Sequence, residues 1–256
     1  MSIPKIIHYC WFGGKPKPPL AEKCIKSWKK FCPDYEIMEW NEFNFDITTA
    51  PLYVRQAYEA GRWAFVTDFV RLKALLEFGG IYMDTDVEVV KSLDPYLHHS
   101  GFAGFEHPER VQTGLLACEK EFPLFRAFLA HYDTALFYKP DGTQDITTNV
   151  EVLTKLCRDR GMVCNDRFQV VDGLALYPRE VFCPVDYDTE KLHRTRKTVT
   201  IHWFASSWHT EEELEQIRRE KEWKKQERNS NIRYAVGKAV FGETGYAKLK
   251  ALLKRK

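Results

Sequence analysis

Two carboxylates close a short apolar run in the first half of the chain. Asp84 and Asp86 follow Ile81-Tyr82-Met83 and are separated by one threonine. Because side chains of an extended strand alternate between faces, this spacing predicts that both acids and Tyr82 point to one side. Two like charges on one face repel each other unless a cation lies between them, and Mg²⁺ and Mn²⁺ prefer oxygen ligands. The pair favours a metal-bridged diphosphate, although such triplets also occur in solvated loops.

The residues before the acidic pair have a helical pattern. Apolar residues recur at helical spacing over 63–78, and Gly79-Gly80 supplies the stop and a tight turn. Asp68 and Arg71 share one face of this helix. Either they form a surface ion pair of little value, or Arg71 binds a diphosphate through forked hydrogen bonds and Asp68 holds a sugar hydroxyl. Their apolar neighbours and the acidic strand that follows favour the second interpretation.

The rest of the chain alternates between strand and helix patterns. Strands are predicted at 5–8, 35–40, 101–105, 113–118, 168–171 and 198–202, and helices at 20–31, 52–60, 123–137 and 149–160. This alternation is typical of an α/β fold with a mixed, mostly parallel sheet flanked by helices. Ligands of such folds bind at the carboxyl ends of strands, where the acidic pair is expected.

Three ordered segments resemble glycosyltransferase family 32. Residues 64–87 resemble its sugar-binding region with a DXD motif, residues 3–14 its first strand and loop, and residues 201–208 its late His-x-x-x-x-Ser-Trp element. The family includes bacterial capsular-polysaccharide transferases, yeast initiating mannosyltransferases and, more distantly, large clostridial glucosylating toxins. The resemblance implies a GT-A-like (Rossmann-like) catalytic domain, which we place at 1–210. It also implies catalytic roles for Asp68, Arg71, Asp84 and Asp86.

A histidine near the end of the resemblance is a candidate metal ligand. His202 ends a predicted strand, and metal sites often combine carboxylates with one imidazole. We expect His202 either to join Asp84 and Asp86 around Mn²⁺ or Mg²⁺ or to contact the diphosphate. Ser207 and Trp208 follow as a closing segment that offers a hydroxyl and an indole N–H to the phosphates and excludes water.

Further residues are candidates for the nucleotide-sugar site. Trp11 follows the first strand and precedes a glycine pair, so it is either a core residue or a ring that stacks on the nucleobase, and the resemblance favours stacking. Tyr82 either packs in the core or donates a hydrogen bond to the diphosphate or ribose. Asp145 and Asn149 lie in a polar loop that lines the sugar sites, unless Asn149 is a helix cap.

Composition excludes several other classes. The net charge of +2 and the hydrophobic fraction of 44% are ordinary for a soluble globular protein. The seven cysteines are scattered and form no Cys-x-x-Cys pair, which argues against a zinc or redox motif and favours a reduced, cytoplasmic protein. We recognise no signal peptide and no membrane span.

The end of the sequence is basic. From Gln216 onward, 13 Lys and Arg residues stand against 4 Glu, and an interrupted amphipathic pattern predicts a helical tail at 211–256. Either this tail is a solvated helix pair, or it docks peripherally on an anionic membrane at the inner face of the cell membrane. No nucleic acid partner is expected, because no aromatic platform accompanies the charge.

Together these features predict a metal-dependent glycosyltransferase that moves a hexose from a nucleotide-sugar donor to a glycan hydroxyl. From the resemblance we expect retention of anomeric configuration, UDP-galactose or UDP-glucose as donor, and a role in capsular or exopolysaccharide biosynthesis. The acceptor would be a glycan such as a polyprenyl-diphosphate-linked oligosaccharide. The alternatives are a metal-dependent phosphodiesterase or nucleotide-sugar hydrolase and a non-catalytic sugar-nucleotide-binding module.

Overall fold

A computed structural model describes residues 2–205, 212, 214–223 and 226–227. The chain divides into two compact units, Met1–Trp208 and His209–Lys256. Within the second unit, residues 214–223 are helical. Most of the predicted tail at 211–256 falls outside the described residues, so the tail and the domain division at 210 stay predictions.

The described part of the first unit contains ten strands and six α-helices. The strands are β1 (Ile6–Cys10), β2 (Glu36–Trp40), β3 (Gly80–Met83), β4 (Val87–Val89), β5 (Gly101–His107), β6 (Arg110–Val111), β7 (Leu115–Cys118), β8 (Gln169–Val171), β9 (Leu174–Tyr177) and β10 (Thr200–His202). The helices are α1 (Pro19–Phe31), α2 (Leu52–Glu59), α3 (Trp63–Phe78), α4 (Pro123–Leu129), α5 (Asn149–Arg158) and α6 (Arg179–Phe182).

The main sheet has the strand order β2-β1-β3-β7-β5-β9-β8, with β6 paired to β5. Strands β2, β1, β3, β5 and β9 run in one direction, whereas β7 and β8 run in the other. The predicted mixed, mostly parallel sheet flanked by helices is therefore confirmed. A separate two-stranded ribbon joins β4 to β10 in antiparallel orientation.

The two faces of the sheet bury different apolar clusters. Tyr82 lies in the cluster built by α2, α3, α4 and α5, whereas Ile81 and Met83 lie in the cluster that contains α1 and β4. This alternation is the pattern expected of a strand that is covered on both sides. Burial on both faces fixes β3 in the centre of the sheet, and with it the point where the acidic pair begins.

The predicted elements differ from the observed ones mainly at their ends. The helix predicted at 123–137 ends at Leu129 and continues as a short 3₁₀ helix, Ala130–Asp133. The short elements β4, β6, β9 and α6 are not among the predicted ones. Asp172 and Gly173 both have positive φ, 48° and 83°, and form the two-residue turn between β8 and β9. An Asp-Gly pair between apolar runs is a strong hairpin signal, which periodicity alone does not register.

The glycine pair before β3 lets that strand lie directly against β1. Gly80 has a φ of 106°, and a Cβ at this position would lie 2.7 Å from the carbonyl oxygen of Ile6. His8 is buried, and its Nε2 lies 2.8 Å from the carbonyl oxygen of Gly79. The turn from α3 into β3 is thus fixed by backbone contacts that a larger residue would block.

Candidate functional site

Asp84 and Asp86 lie in a turn between β3 and β4. β3 ends at Met83, the backbone N–H of Asp84 donates to the Gly114 carbonyl (2.8 Å), and that of Val87 donates to the Asp84 carbonyl (3.0 Å). The prediction that both acids belong to one extended strand is therefore wrong, because the chain turns at Asp84. The two carboxylates nevertheless converge, since the turn leads into the ribbon that carries His202.

Asp84, Asp86 and His202 form a cluster that could hold a metal ion. Their ligand atoms all lie within 4.8 Å of one another. His202 Nε2 is 3.4 Å from Asp86 Oδ1, and the backbone N–H of Ala205 donates to Asp86 Oδ2 (2.8 Å). His202 Nδ1 is buried and has no hydrogen-bond partner among the described residues. Two carboxylates and an imidazole with one unpartnered nitrogen fit a divalent cation.

In this cluster, protonated His202 supplies a positive charge at the place where a cation would bind. Burial opposes the charge on His202, but the adjacent Asp86 carboxylate outweighs burial and raises the pKa of His202 well above its ordinary value. Burial likewise opposes ionisation of Asp86, whereas the His202 charge brings the pKa of Asp86 below its usual range. A positive group therefore neutralises Asp86 in the metal-free protein. A divalent cation would replace the proton on His202.

A glycine makes the close approach possible. A Cβ at Gly114 would lie 2.9 Å from His202 Cε1 and 3.0 Å from Asp84 Oδ2. Any side chain here would push the imidazole and the carboxylate apart. Gly114 is not among the predicted site residues, although a glycine at the start of a predicted strand is a signal of close approach.

Arg71 lies behind Asp84 in a buried network. Its guanidinium is 2.9 Å from Asp68 Oδ1 and 3.4 Å from Asp84 Oδ1, and it donates to the Thr113 carbonyl (2.8 Å). The guanidinium also lies 4.5 Å from the centre of the Tyr82 ring, whose hydroxyl donates to Asp84 Oδ1 (2.8 Å). The Arg71 side chain is only 5% exposed, so the alternative of a surface ion pair is wrong.

Asp68 and Asn149 form the wall of the site beside Arg71. Burial raises the pKa of Asp68 to about 7 against the opposing charge of Arg71, and the backbone N–H of Asn149 donates to its carboxylate. Thr148, rather than Asn149, caps α5, because its hydroxyl accepts from the backbone N–H of Glu151. The Asn149 side chain instead accepts from Thr113 Oγ1 (2.7 Å), and its buried Nδ2 is unpartnered within the described residues.

Trp11 lies at the same edge of the sheet. β1 and β3 are parallel neighbours, so the carboxyl end that precedes Trp11 is adjacent to the one that precedes Asp84. Trp11 is half-buried, and its Nε1 donates to the Lys15 carbonyl (2.6 Å). The following loop packs on Trp63, since a Cβ at Gly13 would lie 2.7 Å from Trp63 Cε2. A nucleobase contact of Trp11 stays a prediction.

Ser207 and Trp208, the predicted closing segment, lie outside the described residues. The phosphate contacts expected of them therefore stay predictions. His202 is the last residue of β10 and pairs in register with Val87 of β4, which places it at the site.

Two polar residues near the site are absent from the sequence analysis. Glu106 lies on β5, where burial raises the pKa of its carboxyl to about 7 against the fields of His202 and Arg110, with Asp84 adding to the rise. Gln112 is fully buried, and neither atom of its amide has a hydrogen-bond partner in the described part of the chain. A lone Glu or Gln in a strand carries no sequence pattern that would single it out.

A family comparison matches part of the chain. Residues 18–103 match the family described as "Glycosyltransferase sugar-binding region containing DXD motif". This match contains α3 and the acidic turn, and it confirms the resemblance to glycosyltransferase family 32. Trp11 and His202 lie outside the matched residues.

A curated relative also matches part of the chain. Inositol phosphoceramide mannosyltransferase 3 of Schizosaccharomyces pombe is 31% identical over 130 residues, which are 48% of this chain and 35% of that protein. The chain thus spans about a third of the relative's length.

The chain has low structural similarity to two solved glycosyltransferases. The PaToxG glycosyltransferase has a TM-score of 0.49 at 18% identity, covering 62% of this chain and 69% of that one. The galactosyltransferase LgtC, solved with donor and acceptor sugar analogues, has a TM-score of 0.44 at 16% identity, covering 80% and 90%. The mixed, mostly parallel sheet is observed directly in this chain, and its GT-A-like character is what the family resemblance implies.

Across the described ranges, no helix is both long and apolar enough to cross a lipid bilayer.

Proposed function

We propose that this chain, which carries the sugar-binding region of glycosyltransferase family 32, is a metal-dependent hexosyltransferase that uses a nucleoside-diphosphate sugar. The observation that supports this most is the convergence of Asp84, Asp86 and His202 at one sheet edge, with the buried Arg71 behind them. A structural core has no need for two carboxylates, an imidazole and a guanidinium in one place. A bound diphosphate does need a cation, and these groups can provide its ligands.

The acidic turn and His202 would hold the cation. Bound there, a divalent metal such as Mn²⁺ would neutralise the diphosphate and assist its departure. Tyr82 and Arg71 each contact Asp84 Oδ1, so they fix the orientation of that carboxylate before any ligand arrives. The Arg71 side chain is 5% exposed and is held by Asp68, Asp84 and the Thr113 carbonyl, which supports a positioning role; its direct contact with the diphosphate stays a prediction.

Asp68 and Asn149 are suited to the donor sugar. Both are buried beside the acidic turn, and Asn149 Nδ2 is a donor without a partner among the described residues. Carboxylate oxygens accept and amide nitrogens donate hydrogen bonds, which is what a sugar diol requires. The retaining reaction implied by the resemblance would proceed at the sugar held by this pair. The acceptor oxygen bonds to the anomeric carbon, the bond to the diphosphate breaks, and the departing phosphate oxygen takes the proton.

The family resemblance and the curated relative together suggest three candidate donors. UDP-galactose or UDP-glucose agrees with the bacterial capsular members of the family, whereas the mannosyltransferase name of the curated relative favours GDP-mannose. As acceptor we propose a glycan hydroxyl, in a lipid-linked oligosaccharide of capsular or exopolysaccharide synthesis. A basic tail on the inner membrane face would bring the enzyme to such an acceptor.

The test is identification of products by NMR. The protein with Mn²⁺ is incubated with each of UDP-galactose, UDP-glucose and GDP-mannose, alone and with methyl β-glycosides as acceptors, with EDTA and Asp86→Ala as controls. We expect one donor to give nucleoside diphosphate and a glycoside of retained configuration. Free sugar with every acceptor would favour the hydrolase, and absence of turnover the binding module.

A further inference from the structure

Glu106 lies at the same sheet edge as the acidic turn, on the side opposite Arg71. β3 and β5 run in the same direction on either side of β7, so their carboxyl ends share one edge. The segment between β6 and β7 bridges them, because Asp84 N–H donates to the Gly114 carbonyl (2.8 Å) and Gln112 N–H donates to the Gly104 carbonyl (2.9 Å). Glu106 follows Gly104 by two residues and therefore projects from this edge.

A β-bulge sets the direction of Glu106. The register between β5 and β6 shifts between Phe105 and His107, and Glu106 is the residue at the shift. Bulges redirect a side chain and are common beside active sites. Phe105 is fully buried, whereas Glu106 is half-buried, so the bulge leaves the carboxyl at the boundary between the core and the site.

The Glu106 carboxyl interacts with the metal cluster without belonging to it. The charges of His202 and Asp84 both affect the pKa of Glu106, and the charges of Glu106 and His202 both affect the pKa of the buried Cys183 thiol. It is nevertheless not one of the three residues whose ligand atoms converge. In the described part of the chain it also has neither a hydrogen-bond nor an ion-pair partner, whereas each of the two turn carboxylates has one.

Some of the buried polar atoms that lack partners among the described residues lie on this side of the site, whereas the Asn149 amide nitrogen lies on the other. Gln112 lies beneath the same bulge, and a Cβ at Gly104 would lie 2.9 Å from its Nε2. His202 Nδ1 is unpartnered as well. An unpaired buried polar group costs about 1–3 kcal/mol, so a fold that retains several at one place provides for a polar ligand there.

We propose that Glu106 forms the acceptor side of the site and binds a hydroxyl group of the incoming sugar. This inference rests on the proposed function. Carboxylates are strong acceptors for hydroxyl donors, and this one stands at the carboxyl end of β5, across β7 from the acidic turn. Glu106 accepts a hydrogen bond from a hydroxyl next to the attacking one, or from the second hydrogen of an attacking water. It takes no proton, because the attacking hydroxyl loses its proton to the departing phosphate oxygen.

The experiment compares Glu106→Gln with Glu109→Gln. Glu109 belongs to the same hairpin and is exposed, with its carboxylate 3.9 Å from Arg158, so this variant controls for loss of one negative charge in the hairpin. Two quantities are measured for each protein: the affinity for UDP with Mn²⁺ by calorimetry, and turnover of the active donor with water and with methyl β-glucoside and methyl β-galactoside. Thermal melting is recorded for both variants.

We expect Glu106→Gln to bind UDP with Mn²⁺ as the wild type does and to melt at no lower temperature. Its turnover should fall about 10- to 100-fold, with a raised acceptor KM, because a hydrogen bond to a charged group is weakened. Glu109→Gln should match the wild type. The proposal would be overturned if Glu106→Gln turned over the donor at the wild-type rate with every nucleophile. It would also be overturned if the UDP affinity of this variant fell by the same factor as its turnover. A wild type that turns over none of the three donors would contradict the proposed function itself, a result distinct from the other two.

Discussion

The two sides of the acidic turn are built in opposite ways. On one side, which we call the arginine side, Asp68, Arg71 and Tyr82 are joined by hydrogen bonds and ion pairs of 2.8–3.4 Å. On the other, which we call the open side, Glu106, Gln112 and His202 carry side-chain atoms without described partners. Asp68, Arg71 and Tyr82 therefore have protein partners as folded, and only the neighbouring Asn149 amide nitrogen lacks one among the described residues, whereas the groups of the open side are suited to a ligand. Changes on the first should cost folding, and changes on the second should cost function.

The largest effect is expected from Arg71→Met. Removing the guanidinium leaves the buried Asp68 and the half-buried Asp84 without their cation, which costs about 3–5 kcal/mol of unfolding free energy. The matched control is Arg126→Met, since Arg126 also lies 2.9 Å from its partner, Glu121, but both side chains are 63% exposed. The control should lose at most about 1 kcal/mol. Urea unfolding measures both, and equal losses would show that the arginine side is no more than a surface pair.

Asp86→Asn should affect function by a similar amount and folding far less. The amide keeps the shape of the side chain but removes the charge that balances a cation and His202. We expect donor turnover to fall by about 10²–10³-fold or more, as for loss of a preorganised electrostatic contact. Calorimetric titration with Mn²⁺ and urea unfolding separate the two effects. Retention of Mn²⁺ affinity in this variant would place the metal elsewhere.

Gly114→Ala tests the junction of the two sides. The added methyl would meet His202 Cε1 and Asp84 Oδ2 at 2.9 and 3.0 Å. Overpacking of this kind costs about 1–3 kcal/mol, and we expect the displaced imidazole to lower Mn²⁺ affinity at least tenfold. Melting temperature and Mn²⁺ titration are the measurements. A variant that binds Mn²⁺ normally would remove His202 from the set of ligands.

The smallest expected effect is a gain of stability rather than a loss. Burial raises the pKa of Glu106 from 4.5 to about 7, so the folded state holds this proton more tightly than the unfolded state does. Stability from this group is complete below pH 4.5 and is lost as the pH rises through 7. The effect of Glu106→Gln on the free energy of unfolding of the metal-free protein should therefore be more favourable at pH 8 than at pH 5, by on the order of 1 kcal/mol. Melting curves at both values test this, and a destabilised variant at pH 8 would place Glu106 among the structural residues.

Sequence patterns predicted what is local or periodic. The helix at 63–78 was predicted with its observed bounds because apolar spacing and the glycine stop agree. The periodicity of apolar residues predicts neither the strand order nor the Asp-Gly hairpin at 172–173. The acidic pair was expected to converge by strand alternation, but it converges because of a turn.

The site depends on contacts between distant segments. Gly114 meets His202 across 88 positions of the chain, and Glu106 reaches the site through a register shift. Neither feature leaves a motif, so these residues cannot be selected from sequence patterns alone. His202 was selected through the resemblance and its strand position. The structure places it beside the two acids, where its role as a ligand is a proposal.

The most direct test of the account is thermal stability of the wild type with Mn²⁺ plus UDP, Mn²⁺ plus GDP, and EDTA. A ligand that binds only the folded state, present at a hundred times its Kd, stabilises by ~2.7 kcal/mol. We predict such a shift with Mn²⁺ and one of the two nucleotides, and its loss in EDTA. An unchanged melting temperature with both nucleotides, at concentrations that saturate known transferases, would contradict a nucleotide-sugar site at Asp84, Asp86 and His202.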